Sequence, residues 1–597
     1  MLDSLRKKGT DVTDLGGRLE KQFSGKVYPN PSDPEVRVAM EKGRAELEKS
    51  YLGKKYPWIL GGQTFVPVDQ KTYATVNPAN RSMVVGKFPD VSCLSKAEVA
   101  NLLAKTRRAA INFSQTVHWR KRFALLQEIS KVVEERFWIL VAAKQYETGQ
   151  SIMEAIGETD EEVDFPLAVA LYLEELNCDL LWPSPKFAGD FNGKRYVPHG
   201  VFLNICPFNF PGAIPMDMAC KALAMGNAII EKSSNKSSLC GYLVYESIVM
   251  AFERLGISHE GVVNYVPGGP EIVDMLLASS DIAGVSFTGS SAALWQIKEK
   301  HGQMLRNGYH GRAPLVFGSA ETSGVNIAVV WNDADVKYAA QECLKSFIGR
   351  QGQKCSSVRV ILAHTDIVGK FSDTLESLVD GLQVGDCMQG CDVGPVITPE
   401  AGEKIESTFE DLLFDGVIIS AYSHPIPITA SVVPRELIFP TILYTEALLE
   451  DARKAQVLMN TEMFGPITTI VPVSSLEDVR KLCALSDFAL TGTSFTSDID
   501  VAVALSEIIP AGNLYHNRKC TGALVETECF GGLRSKSSPT GIKGKYALAL
   551  FGSMQVTSGF YDPSWDEGKT GEFIRRMDGL GFGFSKTNLR SRLKDAY

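Results

Sequence analysis

Four short apolar runs constrain this fold more than any other feature of the chain: VFLNICPF from Val201, AIIEK from Ala228, GVVNYVPG from Gly261 and IAGVSFTG from Ile282. Each ends in glycine, proline or polar turn residues, and helical patterns lie between them. Runs apolar on both faces are strands buried on both sides, and crossover helices make their pairing parallel, so the pattern predicts a doubly wound α/β sheet. A second series, VNIAVVW, SSVRVILAH and TTIVPV, resumes at about residue 325 and predicts a second α/β domain. With 597 residues the chain is too long for one simple core and is expected to divide in this way.

The remaining segments are placed around these two sheets. Residues 1–54 are charged, with helical apolar spacing in EVRVAMEKGRAELEKS, and read as an N-terminal helical extension. WILGGQTFVPV reads as a hairpin. AEVANLLAKTRRAAINFSQ and WRKRFALLQEISKVVEERFWILVAAKQYETG each read as a helix. LLWPSPKFAGDFNGKRYVPH, residues 180–199, is turn-rich and interrupts the first α/β unit, KYALALFGSMQVTS reads as a late strand, and the tail beyond it reads as irregular.

Composition narrows the function. The hydrophobic share of 45% and charged share of 22% are those of a globular protein. Net charge is −9, from 61 basic and 70 acidic side chains with no basic run, which argues against nucleic acid as the main partner. Neither a secretory h-region nor an apolar stretch of about 18 residues is found, so no membrane partner is expected and the expected location is cytoplasmic, or the mitochondrial matrix for a eukaryotic chain. Twelve cysteines include no C-x-x-C, histidines number only 8, and no metal site is expected.

Among the cysteines, Cys355 stands in GRQGQKCSSVRV, where a glycine-flanked polar loop precedes a β-branched run. An accessible turn with Lys354 alongside suits a reactive thiolate, while a buried structural cysteine is the alternative on this segment alone. Other segments complete a pattern: ICPFNFPGAIP with Asn209, NAIIEKSSN with Lys232, VSFTGSS with Gly289, FGSAETSGVN with Glu321, TEMFGPITT with Glu462, and NRKCTGALVETECFGG from Asn517 to Gly532. Together, at these intervals, they resemble the aldehyde dehydrogenase superfamily from about residue 30 to about 555. The last segment is similar to the signature of the subgroup that oxidises glutamate semialdehyde, the Δ1-pyrroline-5-carboxylate dehydrogenases.

The resemblance implies an aldehyde dehydrogenase-like α/β fold. A Rossmann-type NAD(P)-binding domain would comprise 55–179 and 200–320, and a catalytic domain 321–515. A small β oligomerisation flap would be formed by 180–199 and 545–557, followed by a C-terminal tail at 558–597. It implies Cys355 as covalent nucleophile, Glu321 as the base that activates water, and the Asn209 amide as an oxyanion donor. Cofactor contacts are implied for Cys206, Pro207, Lys232, Ser234, Gly289, Ser290, Glu462 and Phe464. A substrate carboxylate is expected at Ser356, Gly522 and Ala523, where backbone donors and a hydroxyl form a nest. The implied reaction is oxidation of L-glutamate γ-semialdehyde to L-glutamate in proline catabolism, in a homodimer or dimer-based oligomer.

Three places depart from the superfamily pattern. Thr322-Ser323-Gly324 stands where Gly-Gly-Lys is usual, and Cys529 replaces the proline before Phe530-Gly531-Gly532. Asn235, followed by Lys236, stands where many NAD-preferring members carry an acid; the cofactor expected is NAD, with NADP admissible. Glu158 falls on a helix near the position of the subgroup's substrate-gating glutamate. The alternatives are another semialdehyde or aliphatic aldehyde as substrate, or a catalytically silent protein of the same fold.

Overall fold

A computed structural model describes residues 29–66, 71–179, 190–306, 315–425, 434–445, 448–541 and 544–560, with five positions between 572 and 580. The expectations for residues 1–28, for 180–189 and for most of the tail fall outside these residues.

Two seven-stranded sheets dominate the architecture. In the first, strands Val316–Glu321, Ile282–Thr288, Val201–Ile205, Ala228–Lys232 and Val263–Tyr265 lie side by side and parallel, in that order. The hairpin Trp58–Leu60 and Gln63–Phe65 completes one edge, with Gly61 and Gly62 at φ 60° and 74°, the left-handed pair that a tight two-residue hairpin turn requires. All residues of Val201–Ile205 and Ala228–Lys232 are buried, and helices Lys96–Thr116, Ala213–Ala224 and Ser238–Arg254 pack against these strands. Strand order reverses at Val201–Ile205: the next two strands in sequence add on one side, the following two on the other.

The second sheet runs Ser420–Ser423, Thr441–Tyr444, Ile467–Val473, Val358–His364, Asn326–Val330, Thr491–Phe495 and Asn513–His516, parallel except for the first pair. Alternate side chains of its central strands enter different cores. Ile327, Val329, Val360 and Leu362 join one cluster, whereas Ala328, Val330, Ile361 and Ala363 join the other. Such two-sided burial explains why these segments read as continuous apolar runs. The chain passes from the first sheet to the second between Glu321 and Asn326.

Three details correct the sequence reading. The pattern taken as one helix from Trp119 breaks at Arg136, giving Trp119–Glu135 and Phe137–Thr148, because the Arg136 guanidinium turns inward to Ser247 at 2.8 Å and to Glu246. The late run begins as helix Gly544–Leu548, since Leu548 and Phe551 are both buried three residues apart, and only Gly552–Phe560 is a strand. That strand pairs antiparallel with Asp190–Pro198. In the N-terminal region, helix Pro34–Ser50 is followed by an unanticipated three-stranded sheet of Lys54–Lys55, Val84–Pro89 and Thr72–Val76. Among the described residues no helix is long and apolar enough to cross a membrane.

Candidate active site

Glu321, Thr288, Ile205 and Lys232 are the last residues of four adjacent parallel strands. In an open parallel sheet the crevice for ligands lies beyond the carboxyl ends, where strand order reverses. Cys206-Pro207 and Gly289-Ser290 follow the two strands that flank this reversal. Gly289 N–H donates to the Glu321 carbonyl at 3.2 Å, and Cys206 N–H to the Lys232 carbonyl at 3.0 Å, so the turns are knitted to their neighbours.

Lys232 is buried, burial pulls its ammonium down to about 8, and Nζ makes no hydrogen bond or ion pair with the described residues. A buried cation at the mouth of a crevice leaves hydrogen-bonding capacity for a bound polar group. Ser290 Oγ accepts from Ala293 N–H at 3.2 Å at the start of the 16-residue helix Ser291–Arg306, whose first amides suit an anionic group. Ser234 is half-buried, and its hydroxyl accepts from Lys236 N–H at 3.2 Å. The Cys206 thiol is buried and donates to Glu231 at 3.2 Å; burial, then the Glu231 carboxylate, pushes it well above the usual range.

The loop before the second central strand carries Cys355. Helix Val336–Ile348 ends in a tight turn in which Arg350, Gln351 and Gly352 all take left-handed backbone, at φ 51°, 55° and 68°. Two of these are not glycine, a strain that persists only where surrounding contacts over-determine it. Those contacts are present: Arg359 donates to the carbonyls of Gly352 at 2.5 Å, Gly465 at 2.7 Å and Lys354 at 3.2 Å. Asn326 donates to the carbonyls of Cys355 at 2.7 Å and Ser357 at 2.8 Å.

Three expected partners converge on this loop. The buried Asn209 amide donates to the Gln353 carbonyl at 2.9 Å, two residues before the thiol. Burial pushes the Cys355 thiol up to about 12, and the carboxylates of Glu321 and then Glu462 add to that rise. Glu462 accepts from Gly324 N–H at 2.9 Å, and burial raises its carboxyl. Phe464, two residues on, meets Phe208 edge to face with centroids 6.2 Å apart.

Lys354 does not serve the thiol as its sequence position suggested. It is buried, and its ammonium turns away to Glu154 at 2.7 Å. Glu158 is wholly enclosed, accepting from Arg350 at 2.8 Å, Gln150 at 2.9 Å and the Gly212 amide at 2.8 Å; it is Glu154, one turn earlier, that keeps a quarter of its side chain exposed.

The late signature reaches the loop through Thr491. Its hydroxyl lies 3.2 Å from the Ser356 carbonyl and 3.0 Å from the thiol of Cys520. Gly522 follows at φ 77° on the surface, with Ala523 half-buried beside it. A cavity of about 960 Å³, lined by Ser291, Trp295, Ser486, Asp487, Arg534 and Lys536 among others, opens beside the same late segment and includes neither Cys355 nor Glu321 in its wall.

Residue-by-residue reading missed Arg350, Arg359, Thr491 and Ser538, which hold the site from behind. Two weak signals existed: a basic side chain inside an apolar strand, Arg359 in SSVRVILAH, and a non-glycine run, Arg350-Gln351, in a turn.

The aldehyde dehydrogenase family profile matches residues 65–556. A 1-pyrroline-5-carboxylate dehydrogenase of Bacillus cereus is 30% identical over 529 residues, covering 87% of this chain and 96% of its own length. One from Staphylococcus epidermidis is 28% identical over 515 residues, covering 85% and 95%. Among solved structures, a Thermus 1-pyrroline-5-carboxylate dehydrogenase with bound NAD is similar at a TM-score of 0.79 and 25% identity, covering 90% of this chain and 98% of that one. The chain therefore belongs to the aldehyde dehydrogenase family.

Proposed function

We propose that this chain oxidises L-glutamate γ-semialdehyde, formed by opening of 1-pyrroline-5-carboxylate, to L-glutamate. The observation that carries the chemistry is the convergence of Cys355, Glu321 and Asn209 beside the crevice at the strand ends. Near full-length similarity to bacterial proteins of that activity supports the substrate.

Cys355 attacks the aldehyde carbon as the thiolate. Burial raises the Cys355 thiol, so it must lose its proton before it attacks. The oxyanion that forms is met by the Asn209 amide and the Cys355 N–H. Bound NAD, or NADP, supplies the hydride acceptor. Lys232, Ser234, the Gly289-Ser290 turn and Glu462 with Phe464 would hold the cofactor, with Cys206-Pro207 forming one wall. Asn235 and Lys236 put no acid beside a ribose phosphate, so both cofactors fit.

Oxidation leaves an acyl thioester on Cys355. Glu321 then takes a proton from water, the hydroxide adds to the acyl carbon, and the carboxylic acid departs from the thiol. Ser356 and the Gly522-Ala523 backbone would hold the substrate's α-carboxylate. The strands Asp190–Pro198 and Gly552–Phe560 would join a second copy, since Met554 and Val556 share one exposed face.

The test is kcat/KM for 1-pyrroline-5-carboxylate against propionaldehyde, each with NAD and NADP. A strong preference for the carboxylate-bearing substrate is expected; equal values support a general aldehyde dehydrogenase instead.

A further inference from the structure

Glu321 ends a strand of the first sheet, but the residue that holds its carboxylate comes from 217 positions further along the chain. Ser538 Oγ donates to Glu321 Oε1 at 2.5 Å. Ser538 is itself buried, so the hydroxyl is not competing with bulk water for the bond. The segment that carries it is tied to the end of the base's own strand. Thr322 N–H donates to the Ser537 carbonyl at 2.7 Å, and Thr322 Oγ1 to the Lys536 carbonyl at 2.5 Å.

The Lys536 carbonyl also accepts from Ser291 Oγ at 3.0 Å, at the start of the helix that follows the Gly289-Ser290 turn. On its other side the segment is fastened to the loop that leads into strand Thr491–Phe495 of the second sheet. Ala489 N–H donates to Ser537 Oγ at 3.1 Å, Lys536 pairs with Asp487 at 3.1 Å, and the Arg534 guanidinium donates to the Ser486 carbonyl. The hydroxyl bond from Thr322 to the Lys536 carbonyl is a contact that a glycine at this position cannot make.

We propose that Ser538 is a positioning residue for the general base. Its hydroxyl orients the Glu321 carboxylate and stabilises the ionised form that removes a proton from the attacking water, with Thr322 and Lys536 setting the distance. The inference rests on the reading of Cys355 as nucleophile and Glu321 as base. A carboxylate held by a donated hydroxyl keeps its second oxygen aimed, and a hydrogen bond to an ionised group is stronger than one between neutral groups. The serine acts through Glu321 and touches neither substrate nor cofactor, so its removal should slow thioester hydrolysis and leave thioester formation alone.

The probe is p-nitrophenyl acetate, which needs neither cofactor nor the natural aldehyde. The Cys355 thiolate adds to the ester carbonyl and p-nitrophenolate leaves, giving acetyl-enzyme. Water, deprotonated by Glu321, then releases acetate and regenerates the thiol. Stopped-flow absorbance separates the acylation burst from the steady state. In Ser538→Ala the burst rate is expected to match wild type while the steady-state rate falls about 10- to 100-fold, the loss of one charge-assisted bond. Ser538→Thr, which keeps the hydroxyl, is expected to restore most of the rate.

An equal fall in both phases, an unchanged steady state, or no recovery in Ser538→Thr overturns the assignment while leaving the thiol and base in place. Wild-type protein that is inert toward the ester overturns the thiol–base reading itself, and the role of Ser538 with it. Thermal melting of each variant identifies misfolding, and Thr322→Gly gives a second measurement, expected to slow only the steady state.

Discussion

Arg350 donates to Glu158 at 2.8 Å, with both side chains buried, and this ion pair joins the loop that carries Cys355 to helix Ile152–Asp179. The same guanidinium donates to the Asn209 carbonyl and stacks on the Phe210 ring at 3.6 Å. Glu158 also accepts from the amides of Gly212 and Ala213 at 2.8 and 3.3 Å. The nucleophile's loop and the segment bearing the expected oxyanion donor therefore hang on one enclosed pair.

Breaking that pair from one side leaves a buried carboxylate short of its counter-charge, which typically destabilises by about 3–5 kcal/mol. Arg350→Met is expected to unfold at clearly lower urea concentration and to lose kcat in the folded fraction, because Asn209 loses the tether on its backbone carbonyl. Adding Glu158→Gln should recover part of the stability. Urea denaturation of the single and double variants checks both statements.

Asn209→Ala removes the amide donor while leaving the Arg350 bond to its backbone carbonyl. Loss of one oxyanion donor costs about 10²–10³ in kcat. The expected result is that drop with KM little changed, measured by steady-state kinetics with the preferred aldehyde.

Gly352 has φ 68°, and a Cβ there would lie 1.8 Å from the Gly465 carbonyl, backbone against backbone. Gly352→Ala must move the loop. A displacement of about 1 Å in a catalytic group can cost about 10²-fold. That variant should lose activity to this extent and melt below wild type in a thermal scan.

Glu231 supplies a pH signature of stability. Burial raises its carboxyl to about 7, against the lowering effect of hydrogen bonds from Asn204 and Cys206. The folded pKa thus exceeds the unfolded value of about 4.3, so the contribution is full below about pH 4 and is lost as pH rises to about 7. Glu231→Gln lacks this dependence. Its stability relative to wild type should climb between pH 5 and 7, by at most about 1.4 kcal/mol per pH unit, and then level off. Urea titrations across that range check the slope.

How much of this was legible in the sequence follows from the range of each interaction. The seven apolar runs became strands because burial on both faces writes itself into consecutive residues. Short strands such as Thr491–Phe495, with polar residues buried at hydrogen-bonding positions, leave no such trace. Cys355, Glu321 and Asn209 were found through local motifs. Lys354 was misjudged because its partner, Glu154, is 200 residues away, and Ser538 was missed because its bond to Glu321 spans 217. The break at Arg136 was hidden because its neighbours keep helical periodicity on both sides. It becomes visible only with Glu246 and Ser247 in place.

In this mechanism Cys355 carries the acyl group and Glu321 releases it. The decisive measurement is intact and peptide mass spectrometry of Glu321→Gln after incubation with 1-pyrroline-5-carboxylate and NAD. A glutamyl thioester is expected on the peptide containing Cys355, formed together with about one equivalent of NADH per active site. An unmodified Cys355 beside sustained turnover, or an acyl group on another cysteine, would contradict it.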